Sequence, residues 1–188
     1  MTAATMDSDL MRANALTWMG VNRMKAGKRT EAWEMLYAAS HAAQSVVVVA
    51  GRGVGDGGLT PTRDAQANTL CYIAREQAKA GDLTEALRTA NVIPAGQALD
   101  DARAGIAPAQ AEAGDLKGAL ETVARIRYET AKADALGDLA QLLAREGREK
   151  EALALASEQK SPAVKARILL GVIMGKANAK LPKPEAPK

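Results

Sequence analysis

A short pattern recurs four times along the chain and constrains its fold more than any other feature. The four copies are Ala26-Gly-Lys-Arg-Thr-Glu-Ala-Trp33, Ala80-Gly-Asp-Leu-Thr-Glu-Ala-Leu87, Ala113-Gly-Asp-Leu-Lys-Gly-Ala-Leu120 and Glu146-Gly-Arg-Glu-Lys-Glu-Ala-Leu153. The last two intervals between their glycines are each 33 residues, and the first is 54, which is 33 plus 21. A fixed interval of this size is typical of proteins built from stacked structural repeats.

The similarity extends upstream of each glycine. Segments that begin at Arg12, Gln66, Leu99 and Lys132 align without gaps, and a fifth, from Lys165, aligns as a copy that lacks its second half. One column of this alignment holds Met19, Ile73, Ile106, Leu139 and Val172, and the next holds Gly20, Ala74, Ala107, Ala140 and Ile173.

Each copy predicts two helices joined by a tight turn. The glycine can adopt the left-handed conformation that closes a helix. Asp82 and Asp115 follow as caps for the second helix, and Asp82-Leu-Thr-Glu85 resembles a capping box. Apolar residues of the second helices are expected to form one face: Ala86, Leu87, Ala90 and Ile93, and again Ala119, Leu120, Val123 and Ile126. Such a pair cannot bury its apolar face alone, so neighbouring pairs must stack.

These features resemble the tetratricopeptide-repeat family over roughly residues 12 to 177. The matching positions include the Leu139-Ala140 pair, the turn glycines, and an alanine five residues after each turn. The chain departs from the family in its period of 33 rather than 34. It has glutamine (Gln77, Gln110) where the family has a large aromatic, and alanine (Ala98, Ala131) where it has proline. The resemblance implies an all-α, right-handed superhelical stack of antiparallel helix pairs with about nine helices. A related α-hairpin solenoid remains open.

The expected organisation is one helical repeat domain over residues 1–177. Its repeats lie near 12–45, 66–98, 99–131 and 132–164, with a terminal helix at 165–177, a glycine-rich insertion at about 41–61, and a disordered Pro- and Lys-rich tail at 178–188.

The insertion contains Gly53-Val-Gly55-Asp-Gly-Gly58, which spells G-x-G-x-x-G. A dinucleotide-binding fingerprint needs a strand before it and a helix that opens at the third glycine. Here a helical pattern precedes the glycines and Leu-Thr-Pro61 follows them, so we expect a flexible loop. A substrate lid or a docking segment is an alternative, because long loops in compact domains are often functional.

Composition narrows the functional classes. The net charge of +3 is evenly spread, so we expect no nucleic-acid partner. No strictly apolar run is longer than that from Val46 to Ala50, which predicts no membrane insertion. A single cysteine and an N-terminus without a signal-peptide pattern favour the cytoplasm.

No residue pattern indicates catalysis, a cofactor or a metal site. His41 has no cysteine or carboxylate at ligand spacing, and Cys71 lies mid-helix without a nearby histidine. Trp33, Tyr37 and His41 follow one another at four-residue spacing. They are expected to pack inside the protein or, alternatively, to form an aromatic contact face.

Two surfaces are candidates for partner binding. The resemblance implies that the first helices line a groove, which selects Asn14, Lys25, Asn68, Arg75 and Lys79 as donors for a peptide carboxylate. The terminal helix carries apolar residues around most of its circumference, including Leu170, Ile173 and Met174. We expect the tail, a partner, a second copy or further chain to cover it.

The expected function is therefore a non-catalytic module that binds a protein or peptide. The alternatives are a structural subunit of a larger homo- or hetero-oligomer and, third, a nucleotide-binding enzyme that uses the glycine-rich loop.

Overall fold

The computed structural model describes residues 3–46 and 63–179, with side chains from residue 9 onward. These residues form nine α-helices and no strand, which confirms the predicted all-α class. The helices are α1 (Ala3–Lys25), α2 (Arg29–Ser45), α3 (Arg63–Lys79), α4 (Leu83–Asn91), α5 (Gln97–Glu112), α6 (Leu116–Ala124), α7 (Glu129–Arg145), α8 (Glu149–Ser157) and α9 (Pro162–Ala179). We refer to α1, α3, α5, α7 and α9 as first helices and to α2, α4, α6 and α8 as second helices.

The chain divides into two compact units, residues 1–106 and 107–188, and the division falls inside α5 beside Pro108. In the first unit α1 packs against α2, α3 packs against α4, and α3 also contacts α1 and α2. In the second unit α7 packs against α8 and α9, α8 packs against α9, and α6 contacts α7.

The predicted turn glycines all adopt positive φ. Gly27, Gly81, Gly114 and Gly147 have φ angles of 76°, 85°, 92° and 80°. At the second turn the Gly81 N–H donates to the Ala78 carbonyl at 2.9 Å and the Asp82 N–H donates to the Gln77 carbonyl at 3.0 Å. This pair of bonds satisfies the last carbonyls of α3 and ends the helix.

The aspartates after the glycines cap the second helices as predicted. Asp82 accepts the Glu85 N–H at 3.2 Å, and Asp115 accepts the Gly118 N–H at 2.8 Å. The reciprocal half of the expected capping box is absent at Asp82, because its N–H already serves the turn and the Glu85 carboxylate pairs with Arg88.

The second helices bury a different set of residues from the predicted one, because a threonine takes the place of a leucine on the buried face. In α4 the buried residues are Ala86, Thr89 and Ala90, with Ile93 just beyond, whereas Leu87 is 37% exposed. In α6 Thr122 is likewise buried and Leu120 is only half-buried. The true face follows i, i+3, i+4 and i+7, so the residue after the first alanine points away from it.

Glutamines occupy the interior where the resembled family has aromatics. Gln110 is buried, and its Oε1 accepts the Thr122 hydroxyl at 2.7 Å, which joins α5 to α6. Gln77 is also buried, but its Nε2 only reaches the Leu36 carbonyl at 3.5 Å and its Oε1 has no hydrogen-bond partner among the described residues.

The helix α2 ends at Ser45. Val46 is buried and extended, and the Gln66 amide of α3 donates to the carbonyls of Ala43 and Val46, both at 2.9 Å. These bonds replace the intrahelical donors that another turn of α2 would supply.

Two other predictions fall wholly or largely outside the described residues. The glycine-rich loop lies in 47–62, and most of the tail lies in 180–188, since α9 continues through Ala179. None of the described helices is both long and apolar enough to cross a membrane.

Candidate protein interaction surfaces

The C-terminal helix α9 carries an uninterrupted apolar stripe on its surface. Leu169, Leu170, Ile173 and Met174 are 42–65% exposed and lie on one side of the helix at i, i+1, i+4 and i+5. We call these four residues the terminal stripe. It contains Leu170, Ile173 and Met174, which the sequence had selected.

The opposite side of α9 is firmly packed. Ile168 and Val172 are fully or almost fully buried. A Cβ atom on Gly171 would overlap the Gly137 carbonyl oxygen of α7, and one on Gly175 would overlap the Gln141 carbonyl oxygen. The two helix backbones therefore lie in direct contact, and α9 is held rigidly while its terminal stripe faces outward.

The repeat shows what normally covers these positions. Leu169, Leu170 and Ile173 align with Leu136, Gly137 and Ala140 of α7, and all three of those residues are buried. In the second unit α8 and α9 both pack on α7, whereas no described helix follows α9. Among the described residues, no helix covers the terminal stripe.

A second apolar stripe lies on α1 and was not selected from the sequence. Met11 is 65% exposed, Trp18 is 69% exposed, and Ala15 between them is also exposed. We call these three residues the front stripe. The repeat alignment places a second aromatic residue, Tyr72, in the same column as Trp18. A shared aromatic position does not show whether the side chain is buried or exposed, so this match alone could not identify the front stripe.

Two of the predicted groove cations share one depression between α1 and α3. Lys25 and Lys79 line a hollow of about 510 Å³ together with Val21, Met24, Tyr72 and Glu76. Lys79 is paired with Glu76 at 2.6 Å, so this hollow contains an acid that the predicted groove did not.

The other predicted groove residues lie elsewhere on the first unit. Asn14 accepts the Thr69 hydroxyl at 3.5 Å. Asn68 lines a separate depression of about 660 Å³ that also contains Asp64 and Asp101. Arg75 packs across Gly105 of α5, where an added Cβ would lie 2.6 Å from the Arg75 Cγ. These three residues therefore do not line the hollow that holds Lys25 and Lys79.

The aromatic line on α2 is partly structural. The Trp33 indole N–H donates to the Ala80 carbonyl at 3.1 Å, which ties α2 to the turn after α3. The rings of Tyr37 and His41 contact each other edge to face, with centroids 4.4 Å apart. Trp33 and Tyr37 each keep more than a third of their surface exposed.

The cysteine is buried in α3, and burial raises the pKa of the Cys71 thiol to about 11. Arg75 partly opposes this shift because its charge favours the thiolate. A thiol with so high a pKa carries very little thiolate near neutral pH and is a poor nucleophile. Among the side chains that the structure describes, no three His, Cys, Asp or Glu residues cluster as metal ligands would.

No protein-family model matches this chain, and no curated protein or solved structure matches it.

Proposed function

We propose that this protein is a non-catalytic interaction module, an adaptor or accessory subunit, that binds another protein through the terminal stripe of α9. Its hairpins would form a tetratricopeptide-like stack, a proposal supported by turn glycines and second helices that recur every 33 residues from Leu83 to Leu116 to Glu149. The observation that carries the functional proposal is the exposure of four large apolar side chains, three of which (Leu169, Leu170 and Ile173) lie at positions that are buried in α7.

The charges beside α9 are turned away from the terminal stripe. Arg167 pairs with Asp134 at 3.0 Å and with Asp138 at 3.5 Å, and Lys176 pairs with Glu149 at 3.0 Å. These two cations are paired with acids of α7 and α8, and none of the four residues of the terminal stripe is charged. Covering four half-exposed side chains of this size contributes about 1 kcal/mol each, which is several kcal/mol for the whole stripe.

The mechanism is the presentation of a rigid apolar surface. Because α9 contacts the α7 backbone through Gly171 and Gly175, its terminal stripe needs little reordering when a partner binds. Less conformational entropy is then lost on association, and more of the burial free energy appears as affinity.

The experiment that tests this function is site-specific photo-crosslinking in the native cells. A photoreactive amino acid replaces Ile173 in the terminal stripe or, as control, Val92, which is 47% exposed on the surface near the end of α4. The proposal expects one recurrent protein adduct at position 173 and none at 92. The absence of adducts at 173, or the same adducts at both positions, would contradict it.

The hollow between α1 and α3 supports a second candidate function, the capture of a peptide with a free carboxylate. Lys25 lines this hollow and forms no ion pair with any described residue, so its ammonium is available to a ligand. The Tyr72 ring and the Met24 side chain add apolar contact beside it.

A labelled peptide with a free C-terminal carboxylate tests this candidate against its amidated twin. Fluorescence anisotropy should show tighter binding of the acid, and Lys25→Glu should remove the difference. Equal binding of acid and amide by the unmodified protein would reject the peptide site. Arg75 is a poor choice for this test, because its substitution also disturbs the packing on Gly105.

A further inference from the structure

Trp18 of the front stripe occupies an alignment column through which several first helices contact one another. Trp18 aligns with Tyr72 of α3, Gly105 of α5, Asp138 of α7 and Gly171 of α9. Tyr72 lines the hollow shared with α1, Gly105 lies against Arg75 of α3, and Gly171 lies against Gly137 of α7. In α3, α5 and α9 this column faces the first helix that precedes it, whereas Asp138 of α7 pairs with Arg167 of the following first helix α9 at 3.5 Å.

Trp18 is the member of this column for which the described residues contain no preceding helix. Its 69% exposure, together with the 65% exposure of Met11 two helical turns earlier, therefore marks a stacking surface without an occupant among the described residues. An indole of this size is costly to leave in water, because aromatic side chains provide large apolar contact areas.

The terminal stripe of α9 is the complementary half of the same contact. Gly171 packs onto α7 beside Gly137 and Gln141. One repeat later, the positions of Gly137 and Gln141 are held by Leu170 and Met174. Leu170 and Met174 thus form the surface onto which the next member of the Trp18 column would pack.

We propose that the partner of the terminal stripe is a second copy of this chain, whose α1 docks on α9 with Trp18 against Leu170 and Met174. This inference rests on the proposed function and names the occupant of the same surface. It continues between two chains the first-helix contact that α9 already makes with α7.

The chemistry of the two stripes agrees with this docking. Neither Met11, Ala15 and Trp18 nor the terminal stripe contains a charged residue, so no like charges meet and no ion is desolvated at the centre. The first unit provides a precedent, since Tyr72 shares a hollow with Val21, the residue aligned with Met174. An aromatic residue of one first helix thus already lies near an aliphatic residue of the preceding one.

The contact is heterologous, because α1 of one copy meets α9 of another. A dimer keeps one unused front stripe on one copy and one unused terminal stripe on the other, and such association is open-ended unless the rotation closes a ring.

Sedimentation velocity of the full chain over a hundredfold concentration range tests the inference. The wild type should form species larger than a monomer, whereas Trp18→Glu alone and Leu170→Glu alone should each remain monomeric. A mixture of the two variants should form a dimer and nothing larger, because the intact terminal stripe of one meets the intact front stripe of the other. The matched control Val92→Glu, an exposed apolar residue outside both stripes, should associate like the wild type.

Circular dichroism verifies that each variant is folded. Association restored in the mixture shows directly that both variants are folded. A wild type that remains monomeric throughout would overturn the inference. So would association that Leu170→Glu abolishes and Trp18→Glu does not, since that outcome indicates contact between two α9 helices. Neither result removes the proposed function, which fails only if the crosslinker at position 173 captures nothing specific.

Discussion

At the scale of single residues, the hairpins depend on glycines that no other residue replaces without strain. Gly81 and Gly114 have φ angles of 85° and 92°, and no heavy atom lies within 4 Å of a Cβ added to either. The cost of substitution is therefore conformational rather than steric. We expect Gly81→Ala and Gly114→Ala each to lower the free energy of unfolding by about 1–2 kcal/mol, measured by urea denaturation.

Gly96→Ala is the matched control for these turn variants. Gly96 also has open space around its Cβ position but no positive φ, so its substitution should leave stability nearly unchanged. Equal losses in all three variants would show that the turn conformation is not what requires glycine.

Cys71 gives a prediction on pH. Because burial raises the pKa of the Cys71 thiol from 9.0 to about 11, the neutral form is favoured in the folded state. Its contribution to stability is present below pH 9.0 and is lost as the pH rises through about 11. Alkylation of the folded protein should therefore be at least about 100-fold slower than that of the urea-unfolded chain at pH 8. A native labelling rate that levels off near pH 9 would contradict the raised pKa.

Local chemistry made some features of single residues predictable from the sequence. A glycine followed by an aspartate specifies a turn and a cap within five residues, and Gly81 with Asp82 forms both. The interior Gln110–Thr122 bond was not predicted, because polar residues on a helix are normally assigned to the surface. Its partners lie on different helices, and only their pairing makes burial acceptable.

At the scale of helices, the contact between α7 and α9 depends on the absence of side chains at Gly171 and Gly175. A Cβ on Gly171 would overlap the backbone of Gly137, which cannot move aside as a flexible side chain would. We expect Gly171→Ala to destabilise the second unit by about 1–3 kcal/mol through overpacking, observed as a lower thermal unfolding midpoint.

The control for this variant is Ile173→Ala on the exposed side of the same helix. It removes apolar surface without approaching α7 and should change the stability of the monomer far less. Should Gly171→Ala be as stable as the wild type, the close approach of the two backbones would be wrong.

Helix boundaries followed the sequence where the determinant was local and departed from it elsewhere. The second helices α4, α6 and α8 begin directly after their predicted turns. By contrast, no local signal marks the end of α2 at Ser45, where the Gln66 side chain, 21 residues away, donates to the carbonyls of Ala43 and Val46. Leu87 was assigned to the buried face on spacing alone, and the geometry of the helix turns it outward.

At the scale of the whole molecule, the exposed tryptophan reports on association. The chain contains two tryptophans, and Trp33 is held by its bond to Ala80. We expect the fluorescence maximum of the wild type to move to shorter wavelength as concentration rises, because Trp18 leaves water. Trp18→Phe keeps the apolar contact but removes the reporter, so its emission should not shift. A shift of equal size in this variant would assign the change to Trp33.

The terminal stripe could be predicted from the sequence because α9 has more apolar residues than one face can hold. The front stripe could not, because α1 has an ordinary number of them and its exposure depends on which neighbours are present. The groove prediction was limited in the same way. The repeat alignment assigned Lys79 to the groove, but it could not show that Glu76 on the same helix forms an ion pair with Lys79.

The central claim is that the exposed stripes of α1 and α9 are the two halves of one interface. The most direct test is hydrogen exchange measured at low and at high protein concentration. The account predicts slower exchange at high concentration in peptides around Trp18 and Leu170, and unchanged exchange in α4, α6 and α8. Exchange that does not depend on concentration anywhere, or protection in the second helices while α1 and α9 stay unchanged, would contradict it.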